Sequence, residues 1–425
     1  MDGENMDKSS ELPGFHKLSP GERLDIVRDF ADLGEEDLQA LKKTGRLDLD
    51  TAGRMIENVI GTMEIPLGVA TNFRINGRDV LIPMAIEEPS VVAAASNAAK
   101  LARPGGGFEA STDEPVMIGQ IQLVGVPDTG GASKAILDRK DEIIELCNKQ
   151  DATLVRFGGG ARDVEVRGIE TEQGRMLVVH IMVDVRDAMG ANAINTMAEK
   201  ITPLIEELSG GRAKLRIISN LATRRLARAR AVWKRDVIGE DTVQGIMEAY
   251  AFACADQYRC ATHNKGIMNG IDAVTIATGN DFRAVEAGAH SFAAFERPYT
   301  SLTRYERDGE GNLVGSIELP IAVGTVGGAT RTNPVARVAL KILGIKSAQG
   351  LAQAMASVGL AQNLAALRAL ATEGIQIGHM KLHARNIAVT AGATGEAIDR
   401  VAARMVEERD ISVARAEQIL KELSG

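Results

Sequence analysis

Residues 175–211 read RMLVVHIMVDVRDAMGANAINTMAEKITPLIEELSGG, and their pattern sets the fold class. The apolar, valine- and isoleucine-rich stretch through Val185 has the composition of a buried strand. Asp187, Ala188, Met189 and Gly190 then make a turn. From Ala191 onward the apolar residues recur at threes and fours, the period of a helix, and Gly210–Gly211 stops it. Upstream, VMIGQIQLVGV (116–126) alternates as a strand and ASKAILDRKDEIIELCNKQ (132–150) reads as a helix. ATLVRF (152–157) and RDVEVRGIE (162–170) read as strand, broken by GGGA, and AKLRIISNL (213–221) closes the run as another strand. The order β-α-β-β-α-β is that of a ferredoxin-like split unit. The expectation is an α+β protein with a small ferredoxin-like domain, residues 113–218, inserted into a larger mixed domain.

The larger domain is expected over 1–112 and 219–375. SPGERLDIVRDFADL (19–33) carries a serine cap, a proline at the first helical position and Glu22 three residues after the serine, the signature of a capping box. NFRINGRDVLIPMAI (72–86) places Asn-Gly between two alternating arms, a hairpin signal. EEPSVVAAASNAAKLAR (87–103) starts a helix with Pro89 in its first turn, and PGGGFEASTDEP (104–115) reads as a loop at a domain edge. Helices are expected from 219 to about 262, a strand in VGSIELPIAVGTV (314–326), and helix over 335–372. Residues 376–425 look like short charged helices forming a separate lobe.

The 425 residues provide ample length for a core, and the net charge of −8 gives no basic footprint for nucleic acid. No apolar run approaches the roughly 18–20 residues of a spanning helix, and the acidic N-terminal segment lacks the pattern of a signal peptide. The three cysteines have no metal-type spacing and read as reduced thiols, so a cytoplasmic protein without membrane attachment is expected.

Four segments carry polar residues suited to chemistry. ATHNKGIMNG (261–270) sets Lys265 among asparagines and glycines, in what reads as an amide-rich turn. ATGNDFRAVEAGAH (277–290) puts Asp281 at a helix start, where capping is its default role. Glu87 and Glu88 precede another helix start, where an acidic residue complements the helix dipole. GHMKLHARN (378–386) carries His379 and His383 four apart, but the glutamate of H-E-x-x-H and a third ligand are absent, so no metal is expected. At DAMGAN (187–192) a glycine at a strand-to-helix turn could admit a pyrophosphate. With no G-x-G-x-x-G frame, a plain tight turn is the stronger reading from the residues alone.

Taken together and in order, ENVIGTMEIPLGVATNF (57–73), EEPSVVAAASNAAKLAR, VDVRDAMGANAINTMAE (183–199), ATHNKGIMNGIDAVTIATGNDFRAVEAGAH (261–290) and GLAQNLAALRALATEGIQIGHMKLHARN (359–386) closely resemble class II 3-hydroxy-3-methylglutaryl-CoA (HMG-CoA) reductases, over nearly the whole chain. The resemblance implies a four-electron interconversion of HMG-CoA and mevalonate plus CoA, through mevaldyl-CoA and mevaldehyde, with two nicotinamide cofactors. It implies that Lys265 is the cation beside the carbonyl oxygen, Glu88 the proton donor, Asp281 the aspartate tuning that cluster, and His379 the acid that protonates the departing CoA thiolate from a mobile C-terminal flap, 376–425. Substrate would be held by Ser90, Arg259, Thr262, Asn269, Gln362 and Asn363. The dinucleotide would use Asp187, Met189, Gly190, Asn192 and Asn220. Asp151 matches the acidic position that binds the adenosine ribose in NADH-preferring members, so NADH is expected over NADPH, with Lys149 and Arg156 close enough in sequence to soften the preference. His16 stands where an arginine can assist CoA binding, a departure that bears on that contact alone. ENVIG matches the family's dimer motif, implying a homodimer with the active site at the interface and, by analogy, a trimer of dimers. A binding protein without catalysis, or a metal-dependent acyl-CoA lyase using His379 and His383, are the alternatives from other classes.

Overall fold

The computed structural model describes residues 8–45, 47–372 and 384–424. Three helices open the chain: α1 (Pro20–Ala31), α2 (Glu35–Lys42) and α3 (Leu49–Met55). The capping box of α1 is formed as expected, with Ser19 accepting from the Glu22 amide and Glu22 accepting from the Ser19 amide at 2.7 Å. The hairpin follows as β1 (Leu67–Ile75) and β2 (Arg78–Ala85), and Asn76 and Gly77 both adopt positive φ, the backbone a two-residue turn of matching twist requires. Helix α4 (Val91–Ala102) starts after Pro89, not around it, because Ser90 takes φ 73° and cannot continue a helix backwards. Residues 108–112, expected as loop, form β3 (Phe108–Thr112), a central strand of the larger sheet. The three glycines ahead of it hid its short apolar arm.

The next unit holds β4 (Val116–Val124), α5 (Thr129–Asp138), α6 (Lys140–Asn148), α7 (Ala152–Arg156), β5 (Gly160–Ile169), β6 (Met176–Asp184), α8 (Ala191–Ser209) and β7 (Arg212–Ser219). Its strands lie in the order β5-β6-β4-β7 with every neighbour antiparallel, the ferredoxin-like arrangement. Two local readings are corrected. ATLVRF is helix, not strand, because Asp151 caps it through the Leu154 amide at 2.8 Å. Residues 132–150 make two helices, α5 and α6, with a break at Arg139. Ile121, Val179, Ile181, Ile194, Met197 and Ile201 form a fully buried core between this sheet and its helices.

The chain then enters β8 (Leu226–Trp233), where only helices were expected. RLARARAVW alternates Arg with Ala, and the small alanines of the buried face gave a weak hydrophobic signal. Next come α9 (Arg235–Ile238), α10 (Glu240–Ala255), α11 (Gln257–Ala277), α12 (Phe282–Ala293), β9 (Thr303–Arg307), β10 (Leu313–Pro320), α13 (Gly328–Thr332), α14 (Pro334–Leu343) and α15 (Ala348–Ala371). The larger sheet runs β2-β1-β3-β8-β10-β9. Helix α15 packs on β8, β3 and β10, and α11 lies against α15 and β2. Trp233, fully buried, donates its indole N–H to Ala98 O at 3.1 Å and so ties the sheet to α4. Residues 384–390 are helical (α16) and, with α17 (Glu396–Glu407) and α18 (Val413–Ser424), build a separate small core around Val401, Met405 and Ile419. No helix among the described residues is long and apolar enough to cross a membrane.

Candidate active site

ATHNKGIMNG is the interior of α11, not a turn. Of its two glycines, Gly270 is required by a close neighbour, since a Cβ there would stand 3.0 Å from the Gln362 and Val358 side chains of α15, whereas a Cβ on Gly266 would meet nothing within 4 Å. In a helix, residues 259, 262, 265 and 269 share one face. This face carries Arg259, Thr262, Lys265 and Asn269, while His263, Asn264, Ile267 and Met268 turn into the protein.

The exposed face meets the turn between β2 and α4. Lys265 Nζ lies 3.2 Å from Glu88 Oε2, and Asn269 Nδ2 donates to the same oxygen at 3.3 Å. Residues 177 and 181 positions apart are thus brought to one carboxylate oxygen. The Lys265 side chain is 60% exposed and that of Glu88 38%, so the pair opens to solvent. Two residues on, Ser90 sits at φ 73° with no capping bond from its side chain. A non-glycine residue held in this region stores strain, which concentrates at functional sites.

Asp281 keeps its default role. It caps α12 through the amides of Arg283 and Ala284 at 3.0 and 3.2 Å and pairs with the Arg283 guanidinium. No hydrogen bond joins it to Glu88 or Lys265 among the described residues. His379 and His383 lie outside the described residues.

Behind the face is a buried polar cluster. His263 Nε2 meets Ser301 Oγ at 2.8 Å, Thr303 Oγ1 at 2.9 Å and Asn363 Nδ2 at 3.3 Å. Asn363 Oδ1 accepts from Thr303 and from Tyr305 OH at 3.0 Å. Burial, helped by the nearby Arg259 charge, pushes the His263 imidazole down to about 3, so it stays neutral and acts as scaffold. Asn363 is 1% exposed and supports α11 from behind. Gln362 is 6% exposed, and its amide oxygen is buried without a partner.

At the turn between β6 and α8, expected from the sequence to hold the dinucleotide, Gly190 has φ 102° and heads α8 with no side-chain cap. A Cβ there would stand 2.5 Å from Val185 Cγ1, so only glycine fits. Asp187 is committed elsewhere: Oδ1 accepts from the Ala348 amide at 2.8 Å, at the start of α15. Asn192 and Asn220 are exposed. Asp151 caps α7 through one carboxylate oxygen, Lys149 pairs with Glu145 at 2.7 Å, and the Arg156 guanidinium lies over the Phe157 ring.

A further pair was not read from the sequence. Asp272, two turns along α11 from Lys265, faces Glu286 of α12; burial first, then Glu286, pushes the Asp272 carboxyl up to about 8. Glu286 also meets His290 Nε2 at 3.2 Å, and His290 Nδ1 meets Tyr299 OH at 2.8 Å. A carboxylate near the end of an otherwise apolar helix segment, GIDAVTIA, is the signal that could have found it. No cluster of three or more metal-ligating side chains occurs among the described residues.

Comparison with known proteins identifies the family. The family model described as hydroxymethylglutaryl-coenzyme A reductase matches residues 19–384. The chain is 61% identical over 416 residues to a 3-hydroxy-3-methylglutaryl-coenzyme A reductase of Archaeoglobus fulgidus, covering 98% of this chain and 95% of that protein. It is 35% identical over 394 residues to a probable enzyme of the same name from Borreliella burgdorferi, covering 91% and 89%. Among solved structures, the class II reductase of Streptococcus pneumoniae bound to NADPH superposes with a TM-score of 0.81 at 41% identity, over 96% of this chain and all of that one. With a matching family model, matching relatives and a matching fold, the chain belongs to the hydroxymethylglutaryl-coenzyme A reductase family, as a class II, NAD(P)-dependent oxidoreductase.

Proposed function

We propose that the chain interconverts HMG-CoA and mevalonate plus CoA at the Glu88–Lys265–Asn269 cluster, using two nicotinamide cofactors. The observation that carries this reading is the convergence of Lys265 Nζ and Asn269 Nδ2 on one oxygen of Glu88. The bound cofactor supplies hydride to the substrate carbonyl carbon. Lys265 then faces the negative charge that gathers on the carbonyl oxygen, where a preorganised cation stabilises most. Glu88, held by Asn269, delivers the proton to that oxygen. Arg259 and Thr262, about two turns and one turn earlier on the same face, suit the free carboxylate and hydroxyl of the substrate. Ser90 borders the same turn, and the unpartnered Gln362 oxygen offers a further acceptor behind it. Asp281 tunes the cluster from the head of α12, and His379 protonates the leaving CoA thiolate; both roles rest on the family resemblance.

The cofactor turn fits its task. The uncapped first turn of α8 leaves amide N–H groups for a pyrophosphate, and Gly190 keeps the approach free of a side chain. The free oxygen of Asp151 suits ribose hydroxyls and would repel a 2′-phosphate, which favours NADH; the S. pneumoniae relative, by contrast, was solved with NADPH. We assign 113–218 to cofactor binding, 1–112 with 219–375 to substrate, and 376–425 to the C-terminal lobe. The homodimer reading is supported by exposed apolar side chains in and flanking the ENVIG segment, Ile56, Ile60 and Met63, and by exposed Phe252 and Tyr258 on α10 and at the start of α11.

The test is a stoichiometric assay on purified protein. Two nicotinamides should be oxidised per CoA thiol released from HMG-CoA. One per thiol, with mevaldehyde accumulating, would overturn the four-electron assignment.

A further inference from the structure

TRR (223–225) sets two arginines side by side with opposite fates. Arg224 reaches Glu165 at the surface, whereas Arg225 is 6% exposed. The buried guanidinium contacts backbone carbonyls from two directions. Nη1 donates to Ala188 O at 3.1 Å and Met189 O at 3.3 Å, and Nη2 donates to Val323 O. Burial brings Arg225 down to about 10, with Asp187 partly offsetting it, so it remains a cation at neutral pH.

The peptide group gives these contacts a directional consequence. In a trans peptide, C=O of one residue and N–H of the next point in opposite directions, and none of the described peptides is cis. Carbonyls 188 and 189 both point at the guanidinium, so the amides of Met189 and Gly190 point away from it. Two successive amides turned to the same side form a concave anion site, placed here at the uncapped head of α8.

The same guanidinium joins this turn to the larger sheet's side of the molecule. Val323 O is one of its acceptors, and the next residue, Gly324, is pressed against the turn. A Cβ on Gly324 would stand 2.8 Å from Met189 N and 2.9 Å from Asp187 O. The Thr325 amide donates to Asp187 O at 2.9 Å. The Gly324 amide in turn donates to Asn280 Oδ1 at 2.8 Å, immediately before Asp281. One short segment, 323–325, therefore touches both the nucleotide turn and the start of α12.

We infer that Arg225 is a positioning residue for the dinucleotide: by holding the carbonyls of Ala188 and Met189 it aims the amides of Met189 and Gly190 at the pyrophosphate and locks that turn to segment 323–325. The inference rests on the reading of 187–192 as the nucleotide site.

The test uses full-length Arg225→Lys and Arg225→Met. Dissociation constants for NADH and NADPH are measured by nucleotide fluorescence, alongside kcat, the KM of HMG-CoA and hydrogen exchange of the 186–192 amides. Lysine keeps the charge but cannot hold three carbonyls in a planar fork. Expected is a tenfold or greater rise in both nucleotide dissociation constants, faster exchange at 188–190, and an HMG-CoA KM within twofold of the parent. A folded Arg225→Lys protein with parental nucleotide affinity and exchange would overturn the inference. If the Arg225 variants do not fold, Gly324→Ala disturbs the same turn with Arg225 in place, and parental nucleotide affinity there has the same force. Gly190→Val separates the two levels. Unchanged nucleotide affinity in that variant removes the nucleotide site itself and the inference with it. Weakened affinity there, with no effect of Arg225→Lys or Gly324→Ala, removes the positioning role alone.

Discussion

Replacing Lys265 with methionine should separate stability from catalysis. The lysine side chain is 60% exposed and its partner Glu88 38%, with 3.2 Å between them. A pair this open contributes about 0–1 kcal/mol to folding. For a chain of this size such a loss moves the melting temperature by less than about 3 °C. Methionine keeps the aliphatic stem, so the packing of α11 is retained. In the proposed reaction the same cation faces an oxygen that becomes negatively charged, and a lost oxyanion stabiliser of this kind costs about 2.7–4 kcal/mol, or roughly 10²–10³ in kcat. The assay is the initial rate of nicotinamide oxidation with saturating HMG-CoA, paired with a thermal melt and a nucleotide titration. Expected is a near-parental melt, near-parental nucleotide affinity and a rate at least a hundredfold down. Combining Lys265→Met with Glu88→Gln should cost much less than the product of the single effects, because both act through one cluster. Turnover within tenfold of the parent would refute the oxyanion role, and a melt lowered by more than about 5 °C would show the pair to be a folding element.

Two further outcomes follow from the local geometry. Asp151→Asn keeps the cap on the Leu154 amide and removes only the charge, so kcat/KM for NADPH relative to NADH should rise about tenfold; an unchanged ratio would dismiss Asp151 as the selector. The Asp272 carboxyl, raised to about 8 by burial and Glu286, stays protonated when folded and ionises when unfolded, so its contribution is whole below the ordinary aspartate range and is lost as pH rises through about 8. Melting temperature should therefore fall between about pH 5 and 8.5, and Asp272→Asn should flatten that slope; an equally steep slope in the variant would place its origin elsewhere.

Local physics was most legible where one residue decides one bond. The Ser19–Glu22 box and the cap at Asp281 each follow from a side chain meeting a backbone group a few positions away, and the Asn76–Gly77 turn from two residues that accept positive φ. The four-stranded unit was legible through its strong valine- and isoleucine-rich strands. Misreadings fall where local pattern and long-range packing disagree. ATLVRF has the β-branched and aromatic content of a strand, yet its Asp151 cap and the helices beside it make it helix. β3 and β8 face α15 largely through alanines and one phenylalanine, too small a signal to outweigh adjacent glycines and arginines. HNKG resembles a turn because its glycine and amides are turn formers, but the segment lies inside the 21-residue helix α11, whose buried residues pack against α15. The cluster at Glu88 was not derivable from spacing, since its partners are 177 and 181 residues away; family resemblance supplied what periodicity could not.

The exposure of Lys265 bears on how the site can work. An ion pair in open water is screened, and a cation of that kind stabilises an oxyanion far less than one in a site from which water is excluded. Yet the strained Ser90 backbone, the Asn269 bond and the buried His263–Asn363 scaffold all hold the cluster in a fixed geometry, which is wasted on a solvated pair. Preorganisation without enclosure is half of an active site. In the proposed function the other half comes from material laid over the exposed face of α11: the substrate itself, the C-terminal lobe, or a second subunit seated on the exposed apolar side chains of Phe252 and Tyr258. The two levels of the site then divide the work. In this proposal the single chain fixes where charges sit, through α11, the turn at Glu88 and the Arg225 joint, and closure over that face would set how strongly those charges act.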